Sequence, residues 1–203
     1  MKNTETTKIS TEEKILAAAE QVFLKSGYDG SRMQEIADLA GINKAMLHYY
    51  FRSKDLLFEH IAEQKFAHFF PKLQELLGSP VSFTDKVCTY VELHINLLRE
   101  NPYLPLFVIN TVNKNSNFIK KMPTLVVSEF VKSYYEDLAT HKVKAVNPLQ
   151  FLVSVMSMCV FPFLAKPIFM SAINYTNTNL DFDTLMAARA EEVKSYVRAI
   201  LLP

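Results

Sequence analysis

Ser31-Arg32-Met33-Gln34-Glu35-Ile36-Ala37-Asp38-Leu39-Ala40-Gly41 runs directly into Ile42-Asn43-Lys44-Ala45-Met46-Leu47-His48-Tyr49-Tyr50-Phe51. Met33, Ile36, Ala37 and Ala40 recur at helical spacing and give the first segment one apolar face. Ser31 with Gln34 three residues on has the pattern of a capping box, and Gly41 stands where such a helix stops. Asn43 offers a fresh N-cap for a short helix carrying Ala45 to Phe51. Two short helices joined by the tight turn Gly41-Ile42-Asn43 have helix-turn-helix geometry, in which the second helix can enter a DNA major groove.

Working outward, Ser10 and Glu13 form a second capping box. Ile15, Ala18, Ala19, Val22 and Phe23 follow at helical spacing, and Gly27 closes that helix. Downstream, Ser53 caps a fourth helix bearing Leu56, Leu57, Ile61, Phe66, Phe69, Phe70, Leu73, Leu76 and Leu77. Pro71 should kink it, and Gly78-Ser79-Pro80 ends it. Helices are expected from Phe83 to Asn101, from Pro105 to near Asn113, and from Pro123 to near Thr140, with a loop at Asn113 to Asn117. Asn147-Pro148 opens an uncharged helix with kinks or breaks expected at Pro162 and Pro167, and Asn174 to Asn179 reads as a polar loop. Asp181 or Asp183 caps a last helix whose apolar face carries Phe182, Leu185, Met186, Val193, Tyr196, Val197, Ile200 and Leu201. The expected fold is all-α with about nine helices. Short capped helices give way to longer, more apolar ones near residue 52. The expected domains are therefore a helix-turn-helix head over residues 1–52 and a helical bundle over 53–203.

Composition supports this reading. The 203 residues are 49% hydrophobic and 21% charged, which suits a folded domain. Only 4 are glycine, where average usage gives about 14. Sheets need many turns of positive φ, and helices need glycine only at their ends. Four glycines at these positions can spell neither G-x-G-x-x-G nor G-x-x-x-x-G-K-[ST], so the common phosphate-cradling loops are absent. Cys88 and Cys159 are far apart in apolar stretches and have no zinc or redox spacing, so no metal or cofactor is expected. Free thiols and a polar start without an apolar leader point to the cytoplasm. His60 and His68 lack an H-E-x-x-H context and no G-x-S-x-G exists, so no enzyme is expected. Ala145 to Ala165 carries no charge but includes Asn147, Pro148, Gln150 and Pro162. A helix buried on most faces, as at an oligomer interface, fits better than a membrane span.

Net charge is +1, so any nucleic-acid surface must be local. Residues 31–54 supply one: Arg32, Lys44, Arg52 and Lys54 against Glu35 and Asp38 give +2. Lys44, Ala45 and Met46 lead the second motif helix, and His48, Tyr49 and Tyr50 can donate to phosphates or stack on sugar. Ser31 and Ser53 lie at helix starts, where free N–H groups attract phosphate. Taken alone the pattern also suits a structural helix pair, and Tyr-Tyr-Phe also suits a core.

Gly27-Tyr28-Asp29-Gly30-Ser31, Ile36-Ala37, Ala40-Gly41-Ile42-Asn43-Lys44, Leu47 and Tyr49-Tyr50-Phe51-Arg52-Ser53-Lys54-Asp55-Leu56-Leu57 resemble the N-terminal domain of TetR-type transcriptional regulators. The resemblance covers roughly residues 10 to 57; beyond it, only length and helical character agree. It implies phosphate contacts at Ser31, with Arg32 beside it, a base contact at Gln34, and base reading by Lys44, Ala45 and Met46. It further implies phosphate contacts by His48, Tyr49, Tyr50 and Lys54. Ala45 and Met46 stand where Gly-Thr is common, and His48 where Tyr is common. Met46 cannot donate a hydrogen bond, so reading there would be apolar, as of a thymine methyl.

The resemblance also implies a homodimer on a pseudo-palindromic operator in double-stranded DNA, paired through helices near 147–172 and 182–202, with no membrane partner. Both stretches carry more apolar surface than one small domain needs, although a monomer core could also use it. It implies a small-molecule effector in the C-terminal bundle, which would be a ligand and dimerisation module. The chain has 15 Phe, 9 Tyr and 8 Met, and such side chains build adaptable apolar pockets as well as plain core. Candidate lining residues are Phe66, Phe70, His94, Tyr103, Phe107, Tyr134, Met156 and Phe161. His94, between Val91 and Leu98, also fits a hydrogen-bonded core histidine. The scarcity of charge favours an apolar or aromatic effector. An all-α carrier of lipid or small molecules with a vestigial head is the alternative.

Overall fold

The computed structural model describes residues 10–114, 125–175 and 180–203. All regular structure among them is helical, in ten helices. They are α1 (Thr11–Gly30), α2 (Met33–Ala40), α3 (Lys44–Tyr50), α4 (Lys54–Gly78), α5 (Phe83–Glu100), α6 (Leu104–Lys114), α7 (Leu125–Ala139), α8 (Pro148–Leu164), α9 (Lys166–Tyr175) and α10 (Phe182–Leu201). One more helix than expected arises because the uncharged stretch is two helices, α8 and α9, with a 72° bend between them. The break falls at Ala165, and α8 continues through Pro162. Pro167 sits at the start of α9, where its missing N–H costs nothing. Likewise α4 continues through Pro71. Asn113 and Asn174 lie within α6 and α9 rather than in loops. Lys114 and Tyr175 end those two helices, and Pro123 and residues 115–117 and 176–179 fall outside the described residues.

Two compact units divide between Phe66 and Ala67, inside α4, later than the change of character at residue 52 suggests. The reason is burial: Leu57, Phe58, Ile61 and Ala62, in the first turns of α4, are fully buried. Phe58 packs against Phe23 at 4.5 Å and edge-on to Tyr28 at 5.1 Å between ring centroids.

In the N-terminal unit, Ile15, Ala19, Val22 and Phe23 of α1 join Ile36 and Ala37 of α2 and Leu47 of α3 in the core. The Ser10 capping box is complete, with Ser10 Oγ accepting from Glu13 N–H and Glu13 returning a carboxylate to Ser10 N–H. Gly27 takes φ +67°, which ends the regular part of α1 and lets Tyr28 fold back.

The C-terminal unit has its own core. It joins Leu73 and Leu77 of α4, Phe83, Val87, Val91 and Ile95 of α5, and Phe130 and Tyr134 of α7. Phe151, Val155 and Cys159 of α8 and Val193, Val197 and Leu201 of α10 complete it. Polar ties fix the frame. Lys86 is buried and donates to the Leu77 carbonyl at 2.7 Å and to Ser133 Oγ at 3.0 Å. Asp137 accepts from Phe83 N–H at 2.7 Å. Arg99 grips Asp183 through two parallel bonds of 2.9 and 3.0 Å, joining α5 to α10. No single described helix is long and apolar enough to cross a membrane.

Candidate nucleic-acid interface

The turn between α2 and α3 is built by backbone chemistry. Gly41 adopts φ +69°, ψ +32°, a left-handed cap. That conformation lets Gly41 N–H reach the Asp38 carbonyl at 3.2 Å and Ile42 N–H reach the Ala37 carbonyl at 3.0 Å. Two residues later Asn43 Oδ1 accepts from Met46 N–H at 2.7 Å and starts α3.

Of the seven residues in α3, only Leu47 is buried. Lys44, Ala45, Met46, His48, Tyr49 and Tyr50 are all exposed. Tyr49 is 83% exposed and Met46 43%, an unusual presentation for large apolar groups on so short a helix. The helix contains no carboxylate. The rings of Tyr49 and Tyr50 meet edge-on at 5.6 Å. His48 Nδ1 lies 3.2 Å from the Arg52 carbonyl, which places a proton on that nitrogen. The outcome is a shallow helix face with an ammonium at its leading end, one thioether, and three aromatic or imidazole groups along its flank.

The motif's remaining expected residues divide into two groups. Arg32 and Gln34 are exposed beside this helix pair. Arg32 rather than Ser31 is the N-cap of α2, with no side-chain cap bond, and Gln34 donates to Asp38 at 2.7 Å. The capping box expected at Ser31 is therefore not formed. Ser31 is 3% exposed, and its hydroxyl donates to the Tyr28 carbonyl at 2.6 Å. Lys54 also turns inward. Its ammonium donates to the carbonyls of Tyr28 at 2.7 Å and Ser31 at 3.2 Å. It lies 4.4 Å from the centre of the Tyr28 ring.

Tyr28 is thus the organiser that residue-by-residue reading missed. Its ring packs on Phe58, its carbonyl takes two side-chain donors besides the Ser31 N–H, and its hydroxyl donates to Asp55. The signal available was its position directly after Gly27, where the chain must reverse.

The candidate effector residues do not form one set. Phe66 belongs to the N-terminal unit and is half-buried. Tyr103, Phe107 and Tyr134 are buried. The Tyr134 hydroxyl is committed to the Val146 backbone, accepting from its N–H at 2.7 Å and donating to its carbonyl at 2.8 Å. Met156 and Phe161 lie on the outer face of α8, 42% and 56% exposed. His94 is half-buried, with Phe69 beside it at 5.6 Å and Phe70 edge-on to Phe69 at 5.8 Å. Exposed apolar groups recur on α8, α9 and α10: Leu149, Val153, Ile168, Tyr196 and Ile200.

Comparison with known proteins agrees with this geometry. Residues 15–61 match the family model for bacterial regulatory proteins of the tetR family. The chain is 26% identical to the probable HTH-type transcriptional regulator YttP of Bacillus subtilis, over 95% of each chain. It is 44% identical to the HTH-type transcriptional repressor NicS of Pseudomonas putida over 59 residues, which are 29% of this chain and 28% of that one. A TetR/AcrR-family regulator of known structure from Thermobifida fusca superposes with a TM-score of 0.66 at 16% identity, covering 90% of this chain and 96% of that one. Residues 15–61 thus form a helix-turn-helix region similar to that of bacterial regulators of the tetR family, and the fold of the rest is shared with regulators of known structure.

Proposed function

We propose that this protein is a transcriptional repressor that binds a pseudo-palindromic operator as a homodimer and responds to a small apolar or aromatic effector. The observation that carries the DNA-binding half is α3: six of its seven side chains are exposed, and none is acidic. In this reading Lys44, Ala45 and Met46 meet base edges, with Met46 against a thymine methyl. His48, Tyr49 and Tyr50 meet the flanking phosphates and sugars, and Arg32 and Gln34 approach from α2. Ser31 and Lys54 act from behind, by holding the turn on which α2 and α3 are mounted. The exposed apolar residues of α8 and α10 pair with a second copy, and two-fold symmetry of the protein is mirrored in the operator.

The test is selection from a random duplex library, followed by fluorescence anisotropy on the enriched sequence at several salt concentrations. An inverted repeat should emerge, bound more weakly as salt rises. Enrichment of nothing, or binding without salt dependence, overturns the proposal.

A further inference from the structure

On α3 the exposed His48 has one ring nitrogen occupied and one open. Its Nδ1 lies 3.2 Å from the Arg52 carbonyl, just beyond the end of the helix. A carbonyl only accepts, so Nδ1 carries a proton. A neutral imidazole has a single N–H, which leaves Nε2 with a bare lone pair. Among the described residues Nε2 makes no hydrogen bond. The surface around it suits an anion. Lys44 stands one turn before His48 and Arg52 follows the helix end, both exposed, and α3 holds no carboxylate. Tyr49 and Tyr50 are the other titratable groups of the helix. Acids on neighbouring elements are engaged elsewhere. On α2, which packs against α3, Glu35 pairs with Lys25 at 3.8 Å and Asp38 accepts from Gln34 at 2.7 Å, while Arg32 is exposed at the helix start. At the start of α4, Asp55 accepts from the Tyr28 hydroxyl and Lys54 is bonded to two carbonyls. Further along α4, His60 lies edge-on to Phe51 and 3.9 Å from Glu12.

We infer that His48 makes DNA binding proton-linked: its imidazole meets a backbone phosphate only after Nε2 takes up a proton. This rests on the placement of α3 against DNA in the proposed function and adds a condition to it. The neutral ring sets a lone pair against an anionic oxygen and has no free N–H to offer. The protonated ring keeps Nδ1–H on the Arg52 carbonyl and directs Nε2–H and a positive charge outward, for a charge-assisted bond. A tyrosine at this position carries no such condition, because its hydroxyl keeps its proton throughout the neutral range. Free imidazoles gain their second proton at about pH 6.5, and a phosphate partner holds it to higher pH. The bound state therefore holds more protons than the free state, so affinity falls as pH rises.

The experiment takes the inverted-repeat duplex enriched by the selection above. Its affinity for the full chain is measured by fluorescence anisotropy from about pH 6 to about pH 8 at constant ionic strength. Affinity should fall about fivefold for each α3 engaged, the effect of a proton held about one pH unit more tightly in the complex. The salt slope should be steeper at the acid end by about 0.9 for each α3, the share of one phosphate contact. His48→Tyr should be flat across the range and should bind more tightly than the unmodified protein at the alkaline end. His60→Gln, which removes the other imidazole of the N-terminal unit, should keep the pH dependence. Calorimetry near neutral pH in two buffers of different ionisation enthalpy should show proton uptake on binding, and His48→Tyr should lose it. A flat profile for the unmodified protein, a profile unchanged in His48→Tyr, or one abolished in His60→Gln overturns the inference. Enrichment of no duplex would overturn the DNA-binding reading and this inference with it. A duplex bound with salt dependence and without pH dependence overturns this inference alone.

Discussion

Lys54 shows how a residue's position in the sequence and its work in the fold can part. The matched motif implies a phosphate contact, yet its ammonium is already bonded to the carbonyls of Tyr28 and Ser31. A lysine has three N–H donors, and two are spent here. Lys54→Met should therefore cost about 1–2 kcal/mol of stability in denaturant titration, from two lost bonds and a lost ring contact. A pure phosphate contact would leave stability unchanged and lower only the salt slope of DNA binding, by about one unit. His94 offers a second check. Burial holds its folded pKa at about 4, against about 6.5 unfolded. Above pH 6.5 both states are neutral. Between 6.5 and 4 only the unfolded chain takes the proton, so stability falls as pH falls, by roughly 2–3 kcal/mol in all. His94→Phe should flatten the curve in that window. It should leave the loss at lower pH, where Asp183 and Glu191, held down by Arg99 and Lys194, become protonated. A wild-type curve already flat from 6.5 to 4.5 would show that the imidazole is solvated.

At the scale of elements, most helix starts were legible because a cap is local chemistry. Asn43, Asn147 and Asp181 each accept N–H groups two or three residues on, as their positions suggest. Ser31 misled because its hydroxyl had a better acceptor behind it, at Tyr28, in a turn that Lys54 completes from far along the chain. At Pro162 the helix continues, because a proline late in a helix removes one bond without ending the helix, and of the expected kinks or breaks the break came at Ala165. Helix ends that need left-handed backbone give a paired prediction. Gly41, at φ +69°, closes α2, whereas α7 is closed by His141 at φ +57°. His141 makes the same kind of closure, its N–H on Leu138 and Lys142 N–H on Asp137. Gly41→Ala should cost about 1 kcal/mol, and His141→Gly should gain about 0.5–1 kcal/mol. Opposite signs in thermal unfolding are the expected outcome; a loss at His141 would mean its side chain contributes more than its backbone costs.

At the scale of the whole molecule, the fold of the head was legible and the division of the C-terminal aromatics between core and surface was not, for one physical reason. The head's turns and caps join residues a few positions apart, so spacing reveals them. Which C-terminal aromatics are core and which stay on the surface depends on partners far along the chain. Tyr134 meets Phe83, which in turn meets Phe151, while Phe161 ends on the surface. That outward placement is itself informative about assembly. Val153 at 58% and Phe161 at 56% exposure lie on α8, and Tyr196 and Ile200, each 41% exposed, lie on α10. In a two-fold interface every substitution is present twice, on one protomer and its partner. Val153→Asp should therefore bury two carboxylates in an apolar contact, at a combined cost of several kcal/mol, which is at least a hundredfold in the dimer dissociation constant. Sedimentation should show monomers with unchanged helix content, and operator affinity should fall because paired recognition helices are lost. Tyr49→Asp, on α3, should leave the dimer intact and abolish operator binding by setting a carboxylate against phosphate. If Val153→Asp remained dimeric, or if Tyr49→Asp fell apart into monomers, the two surfaces would have been assigned to the wrong partners.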